Sequence, residues 1–141
     1  MSEQQSSEEQ PSAEERKLIN DLNMAVGLWD HFRRVLMDRW RECEKKHRGA
    51  ILVENIDSFK TVITNPRQGS IAFRFETEHP PRVYRHNEYP GNSGVGYLRF
   101  GTDLDDGSDG FYERRLPPKV DRFVSFQELA DECFQILRQA R

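Results

Sequence analysis

The sequence predicts an α+β fold: an N-terminal helix, a four- to six-stranded antiparallel sheet and a C-terminal helix, both helices on one sheet face. Three observations predict it. Apolar residues recur at steps of three and four from Leu18 to Cys43, and again over a shorter stretch from Leu129 to Leu137. Between these stretches lie short segments rich in β-branched and aromatic residues, several of which alternate apolar with polar. The segments are separated by clusters such as "TEHPP", "YPGNSG" and "DLDDGSD". Connections this short join antiparallel neighbours, because a parallel crossover needs a dozen or more residues.

Residues 1–12 are Ser, Gln and Glu with almost nothing to bury, and are expected to form a disordered acidic tail on a single domain spanning 13–141. Ser12 and Glu15 have the spacing of a capping box, in which each side chain satisfies a free backbone N–H of the first turn. Leu18, Leu22, Ala25, Trp29, Phe32, Leu36, Trp40 and Cys43 then mark one helix face. A helix continuous to Lys46 would be about 50 Å long, more than a small sheet covers. Either it kinks near Gly27, since a glycine inside a helix costs about 1 kcal/mol, or it overhangs the sheet as an arm. Residues 51–56 and 59–64 have the β-branched content of strands, although Leu52, Ile56, Phe59 and Ile63 also fit a helix. Residues 70–76, 82–88, 96–102 and 110–116 read as further strands. Ser125 and Glu128 form a second capping box, with Val124 and Leu129 placed as a hydrophobic staple. This order, with Val124-Ser125 ahead of the last helix, is similar to that of frataxin-like domains. The resemblance implies architecture alone. Such domains carry an acidic first helix for iron, whereas this one has Lys17, Arg33, Arg34, Arg39, Arg41, Lys45 and Lys46.

Of the 141 residues 32% are charged and 35% hydrophobic, as in a soluble globular domain. No apolar run approaches the ~18 residues of a membrane span, and the N-terminus lacks the plan of a signal peptide. The expectation is a cytoplasmic protein without membrane contact, with Cys43 and Cys133 as reduced thiols. The net charge of −3 hides an asymmetry. Glu3, Glu8, Glu9, Glu14 and Glu15 are the only charges among residues 1–15, so 21 basic and 19 acidic residues remain for the body. A slightly basic body behind an acidic tail hints at an anionic partner.

No motif names a reaction. "GTDLDDGSDGF" (101–111) invites comparison with a calcium loop, which needs oxygen ligands at positions 1, 3 and 5, Gly at 6 and Glu at 12. From Asp105, position 3 is Gly107 and position 12 is Leu116; from Asp103, position 6 is Ser108 and position 12 is Arg114. Two Asp-Gly steps, Asp106-Gly107 and Asp109-Gly110, are what a hairpin turn wants, so the stretch reads as a turn. Glu44 and His47 make one E-x-x-H and Cys43 lies beside it, but the di-iron pattern needs two copies and further helical glutamates. His79 and His86 lack a third ligand. "GNSGVG" (91–96) joins two strands, where a phosphate cradle needs a following helix. No nucleophile motif is present, so neither cofactor nor metal is expected and the reading is non-enzymatic.

Alternate strand residues share a face. With Ile71, Phe73 and Phe75 inward, Arg74 points out; with Tyr84 inward, Arg85 points out. Leu98 and Phe100 inward send Tyr97 and Arg99 out, and Tyr112 and Leu116 inward send Phe111, Glu113 and Arg115 out. The candidate site is therefore Arg74, Arg85, Tyr97, Arg99, Phe111 and Arg115 across an open sheet face. Arginines among aromatics clamp carboxylates or stack bases. The expected function is a small binding or adaptor module for an acidic protein partner. The alternative is single-stranded nucleic acid on the same face, and the first helix, with Trp29 and Trp40, offers a homo-oligomeric contact.

Overall fold

A computed structural model describes residues 12–78, 80–115 and 120–139. Helix α1 (Ala13–Lys46) leads into seven strands: β1 (Leu52–Asp57), β2 (Lys60–Asn65), β3 (Gly69–Glu76), β4 (Arg82–Glu88), β5 (Val95–Thr102), β6 (Asp109–Arg115) and β7 (Val120–Ser125). Helix α2 (Phe126–Gln139) follows. The strands form one antiparallel meander in chain order. The tail expected at residues 1–12 lies, apart from Ser12, outside the described residues. Among the described residues no helix is long and apolar enough to cross a membrane.

Both ends of α1 and the start of α2 form as their caps dictate. Ser12 Oγ accepts from the Glu15 N–H at 3.1 Å. The second box is reciprocal: Ser125 Oγ accepts from the Glu128 N–H at 3.1 Å while Glu128 Oε1 accepts from the Ser125 N–H at 3.2 Å. Val124 and Leu129, the staple pair, are both buried. Helix α1 runs 34 residues without a break at Gly27, which faces open space. Its excess length is carried by overhang instead: Leu18, Ile19 and Met24 are exposed, and the packed stripe starts at Leu22 and Ala25.

Residues 51–64 resolve into two strands because α1 grips their hairpin. Trp29 Nε1 and Arg33 Nη1 each donate to the Ser58 carbonyl at 2.9 Å, and Arg33 Nη2 donates to the Asp57 carbonyl at 2.9 Å. Trp40 Nε1 donates to the Ile51 carbonyl at 2.9 Å. Both indoles thus satisfy their N–H groups within the chain, the Trp29 ring buried and the Trp40 ring partly so. The seventh strand, β7, exceeds the expected count. It occupies the short stretch between the last predicted strand and the α2 cap, and Val124 carries one of its side chains into the core.

The inner sheet face is concave. Phe32 of α1 meets Phe73 of β3 at 5.0 Å and Phe111 of β6 at 4.9 Å between ring centroids. On a flat sheet those strands would stand about 14 Å apart at ~4.8 Å per step. The sheet must curl for one ring to touch both. Helix α2 packs on β2 and β3 as well as on β6 and β7, closing the same hollow. An odd number of antiparallel strands makes α2 run parallel to α1, and Arg39 accordingly pairs with Asp131 while His47, two turns on, meets Arg138.

Candidate functional site: the uncovered sheet face

Both helices lie on the concave side, so the convex side has no covering layer among the described residues. Register places two rows of side chains across it. Lys60 stands opposite Arg74, Arg74 opposite Tyr84, and Tyr84 opposite Tyr97. One row along, Glu76 stands opposite Arg82, Arg82 opposite Arg99, Arg99 opposite Tyr112, and Tyr112 opposite Phe123.

These side chains hold one another. The Arg82 guanidinium lies 3.9 Å over the Tyr97 ring and that of Arg74 lies 5.1 Å over Tyr84. Tyr84 and Tyr97 meet edge to face at 5.4 Å, and Tyr112 meets Phe123 at 5.3 Å. Glu76 accepts from Arg74 Nη2 at 3.1 Å and from Arg82 Nε at 3.0 Å. Its hydrogen bond raises the Arg82 pKa above the ordinary arginine value. Glycines make room beside the aromatics. A Cβ on Gly110 would lie 2.2 Å from the Val124 carbonyl oxygen and 2.7 Å from the Phe123 ring. The outcome is a patch of four cations with Glu76 among them and Glu78 3.6 Å from Arg82 at its edge, and Tyr97 46% exposed at its centre.

Arg74, Tyr97 and Arg99 therefore lie on the open face, as the alternation in β3 and β5 predicts. Two candidates do not. Arg85 is only 9% exposed and points into the concave side, because β4 turns Val83 inward opposite Phe75, and Arg85 inherits the same parity opposite Phe73. Phe111 is fully buried between Phe32, Phe100 and Phe126, since its register with Phe100 makes it, and not Tyr112, the inward aromatic of β6. Glu113 then turns inward with it, and Tyr84 and Tyr112 turn outward. The Arg115 side chain lies outside the described residues. Sequence reasoning missed Arg82, Tyr84, Tyr112 and Phe123 on the open face. The signal was available in β4, where a two-residue frame with Val83 inward is as good a strand as one with Tyr84 inward.

The other chemical candidates are occupied structurally. In the 101–111 stretch Asp103 Oδ1 accepts from the Asp105 N–H at 2.9 Å and Asp106 Oδ1 from the Ser108 N–H at 2.8 Å. The Ser108 hydrogen bonds hold the Asp106 carboxyl below its ordinary pKa. Gly107 takes φ = 74°, which closes the turn. The aspartates thus serve their own backbone. Glu44 accepts from the Gly49 N–H at 3.0 Å, and His47 Nε2 accepts from Arg138 Nη2 at 2.9 Å. Burial raises the pKa of the Cys43 thiol beside them. Among the described residues no group of three or more His, Cys, Asp or Glu is placed to hold a metal ion, and His79 lies outside them.

No family model matches this chain, and neither a curated protein nor a solved structure matches it.

Proposed function

We propose that this chain is a non-catalytic, cytoplasmic interaction module that docks an acidic segment of another protein on its convex sheet face. The observation that carries the reading is the cross-strand stack of Arg74, Tyr84, Tyr97 and Arg82, with Arg74 and Tyr97 exposed and Tyr84 and Arg82 half-buried, held in place before any partner arrives. Tyrosine and arginine are the residues most enriched where binding energy concentrates, and a stack already ordered loses little entropy on docking. Lys60, Arg74, Arg82 and Arg99 against Glu76 and Glu78 give the patch the charge to receive carboxylates, which an arginine fork binds in pairs.

Single-stranded nucleic acid is the second reading, favoured by the alternation of aromatic faces with guanidinium groups, which suits base stacking. Nucleic-acid affinity rests chiefly on neutralising many phosphates, and Glu76, which engages two of the arginines, lowers the net charge available for that; a peptide with fewer charges depends on it less. That tips the choice to protein. The test is selection of acidic twelve-residue peptides on the full chain, with counter-selection on Arg82→Ala/Tyr97→Ala. A twenty-nucleotide oligo(dT) is titrated in parallel from low to physiological salt. Peptides that bind the wild type at least tenfold tighter than the variant support the module. If selection yields none and oligo(dT) binds with a steep salt slope, the nucleic-acid reading replaces it. If neither ligand binds, the face has no such role.

A further inference from the structure

The uncovered face ends in a hollow. Asp21, Met24 and Leu28 lie at steps of three and four on one flank of α1. Across from them stand the Pro80-Pro81 loop and the end of β5, and the space between measures about 550 Å³. Its lining turns the rim of the sheet. Phe100 comes from the concave side of β5, Arg99 and Gly101 from its convex side, and Tyr112 from the convex side of β6.

The walls are largely apolar and already shaped. Pro80 and Pro81 present ring carbons and carry no N–H. The Tyr112 ring lies against the Gly101 backbone, where a Cβ would stand 2.3 Å from Cε2. Met24, 68% exposed at the mouth, adds a thioether that packs well against aromatic rings.

Charge is distributed unevenly round this hollow. On the sheet side Arg99 lines it, and Arg82 stands opposite Arg99 and over the Tyr97 ring. On the helix side the charged lining residue is Asp21. Asp21 and Arg99 each have a partner within the chain, and Arg82 is shared with Glu76 and Glu78. What a ligand meets is therefore a gradient and not a bare ion. The four cations of the open face outnumber its two carboxylates, so a ligand carboxylate is drawn over the sheet and repelled at the Asp21 wall.

We infer that this hollow seats an aromatic side chain of the acidic segment that docks on the convex face. The inference rests on the docking role proposed above and adds an anchor to it. Interfaces concentrate their energy in aromatic anchors that fill pockets, and the volume lies within the range of ligand sites. An uncharged apolar ligand fills the hollow without using the arginines, and a purely acidic peptide leaves it empty. The strand spacing also sets the motif. From Tyr112 to Arg82 is two strand steps, about 10 Å at ~4.8 Å each, or about three residues of extended peptide at ~3.3 Å each. The first carboxylate therefore stands about three residues from the anchor.

The experiment titrates three labelled twelve-residue peptides against the full chain by fluorescence anisotropy. One carries a tryptophan three residues from a run of four glutamates, the second replaces that tryptophan with alanine, and the third replaces the glutamates with glutamine. Each is made in both orders, anchor first and anchor last. In one order the tryptophan–glutamate peptide is expected to bind at least tenfold tighter than either control. Tyr112→Ala, which removes a wall, should weaken that peptide at least tenfold. Met24→Ala, away from the open face, should weaken it at least threefold and leave the alanine peptide unchanged. Melting temperatures show that both variants keep the fold. Equal binding of the tryptophan and alanine peptides, both lost in Arg82→Ala/Tyr97→Ala, overturns the anchor and leaves the docking face standing. Unaltered binding of the tryptophan–glutamate peptide by a folded Tyr112→Ala protein also overturns the anchor alone. Equal binding of the glutamate and glutamine peptides, or no binding of any peptide at about 1 mM, overturns the docking role and the anchor with it.

Discussion

Phe32→Ala tests the concave core at its centre. Phe32 is fully buried and its ring meets Trp29, Phe73, Phe111 and Phe126 at centroid distances of 6.1, 5.0, 4.9 and 5.3 Å. Truncating a buried phenylalanine costs about 3–5 kcal/mol, and aromatic pairs add about 0.5–1.5 kcal/mol each beyond the area they bury. The site cannot collapse easily, because its neighbours come from α1, α2 and two strands that curl to reach it. The expected loss is therefore at the upper end, about 5 kcal/mol, comparable to the whole stability of a marginal domain. Urea unfolding followed by far-UV circular dichroism and tryptophan fluorescence measures it, with Trp29 reporting directly from the contact. The midpoint should fall by roughly 2–3 M at an m-value near 2 kcal/mol/M, or the variant should be unfolded without denaturant. Phe59, 49% exposed at the β1–β2 hairpin, is the internal control and should lose less than about 1.5 kcal/mol on the same substitution. If Phe32→Ala costs less than Phe59→Ala, the curled-sheet account of the core is wrong.

Three further outcomes follow from local geometry. Burial pushes the Cys133 thiol up to about 11 from 9.0, so the folded state keeps its proton longer than the unfolded chain. That contribution is full below pH 9, is lost as pH rises toward 11, and amounts to about 3 kcal/mol for ~2 pKa units; Cys133→Ala should remove this part of the pH dependence in denaturant titrations. Gly110→Ala forces a Cβ to within 2.2 Å of the Val124 carbonyl oxygen, a backbone atom pinned in the β6–β7 ladder, and should destabilise by about 2–3 kcal/mol in the same assay. Ser125→Ala breaks the reciprocal cap of α2 and should lower stability by about 1 kcal/mol, with Ser125→Thr restoring most of it.

The element order was legible because it rests on local chemistry: two capping boxes, two apolar stripes at helical period, and turn residues between strands. The side-chain faces were legible only where apolar residues came in runs of alternation. In β3, Ile71, Phe73 and Phe75 leave a single choice, and Arg74 follows from it. In β4 and β6 each frame offers the core one large apolar or aromatic side chain, Tyr84 against Val83 and Tyr112 against Phe111. A one-residue change of frame reverses every side chain. What decided them was cross-strand register with Phe75 and Phe100, information that belongs to the assembled sheet. The same reversal turned Arg85 from a surface residue into a buried one, with no local signal. Long side chains such as arginine tolerate inward positions because their aliphatic stems pack like hydrophobes while their heads seek polar company.

The meander also bears on how the chain reaches its fold. Every strand pairs with its neighbour in sequence, so the sheet assembles from hairpins with short loops to close, the kind of contact that forms fast. The contacts that bury its concave side are of the opposite kind. Phe111 and Phe126 reach back to Phe32, and Arg39 waits for Asp131. During synthesis, a curling sheet lined with phenylalanine therefore precedes the helix that fills it. Until α2 docks, that hollow is an adhesive surface facing the cell, and the reliability of folding rests on how quickly the last helix arrives.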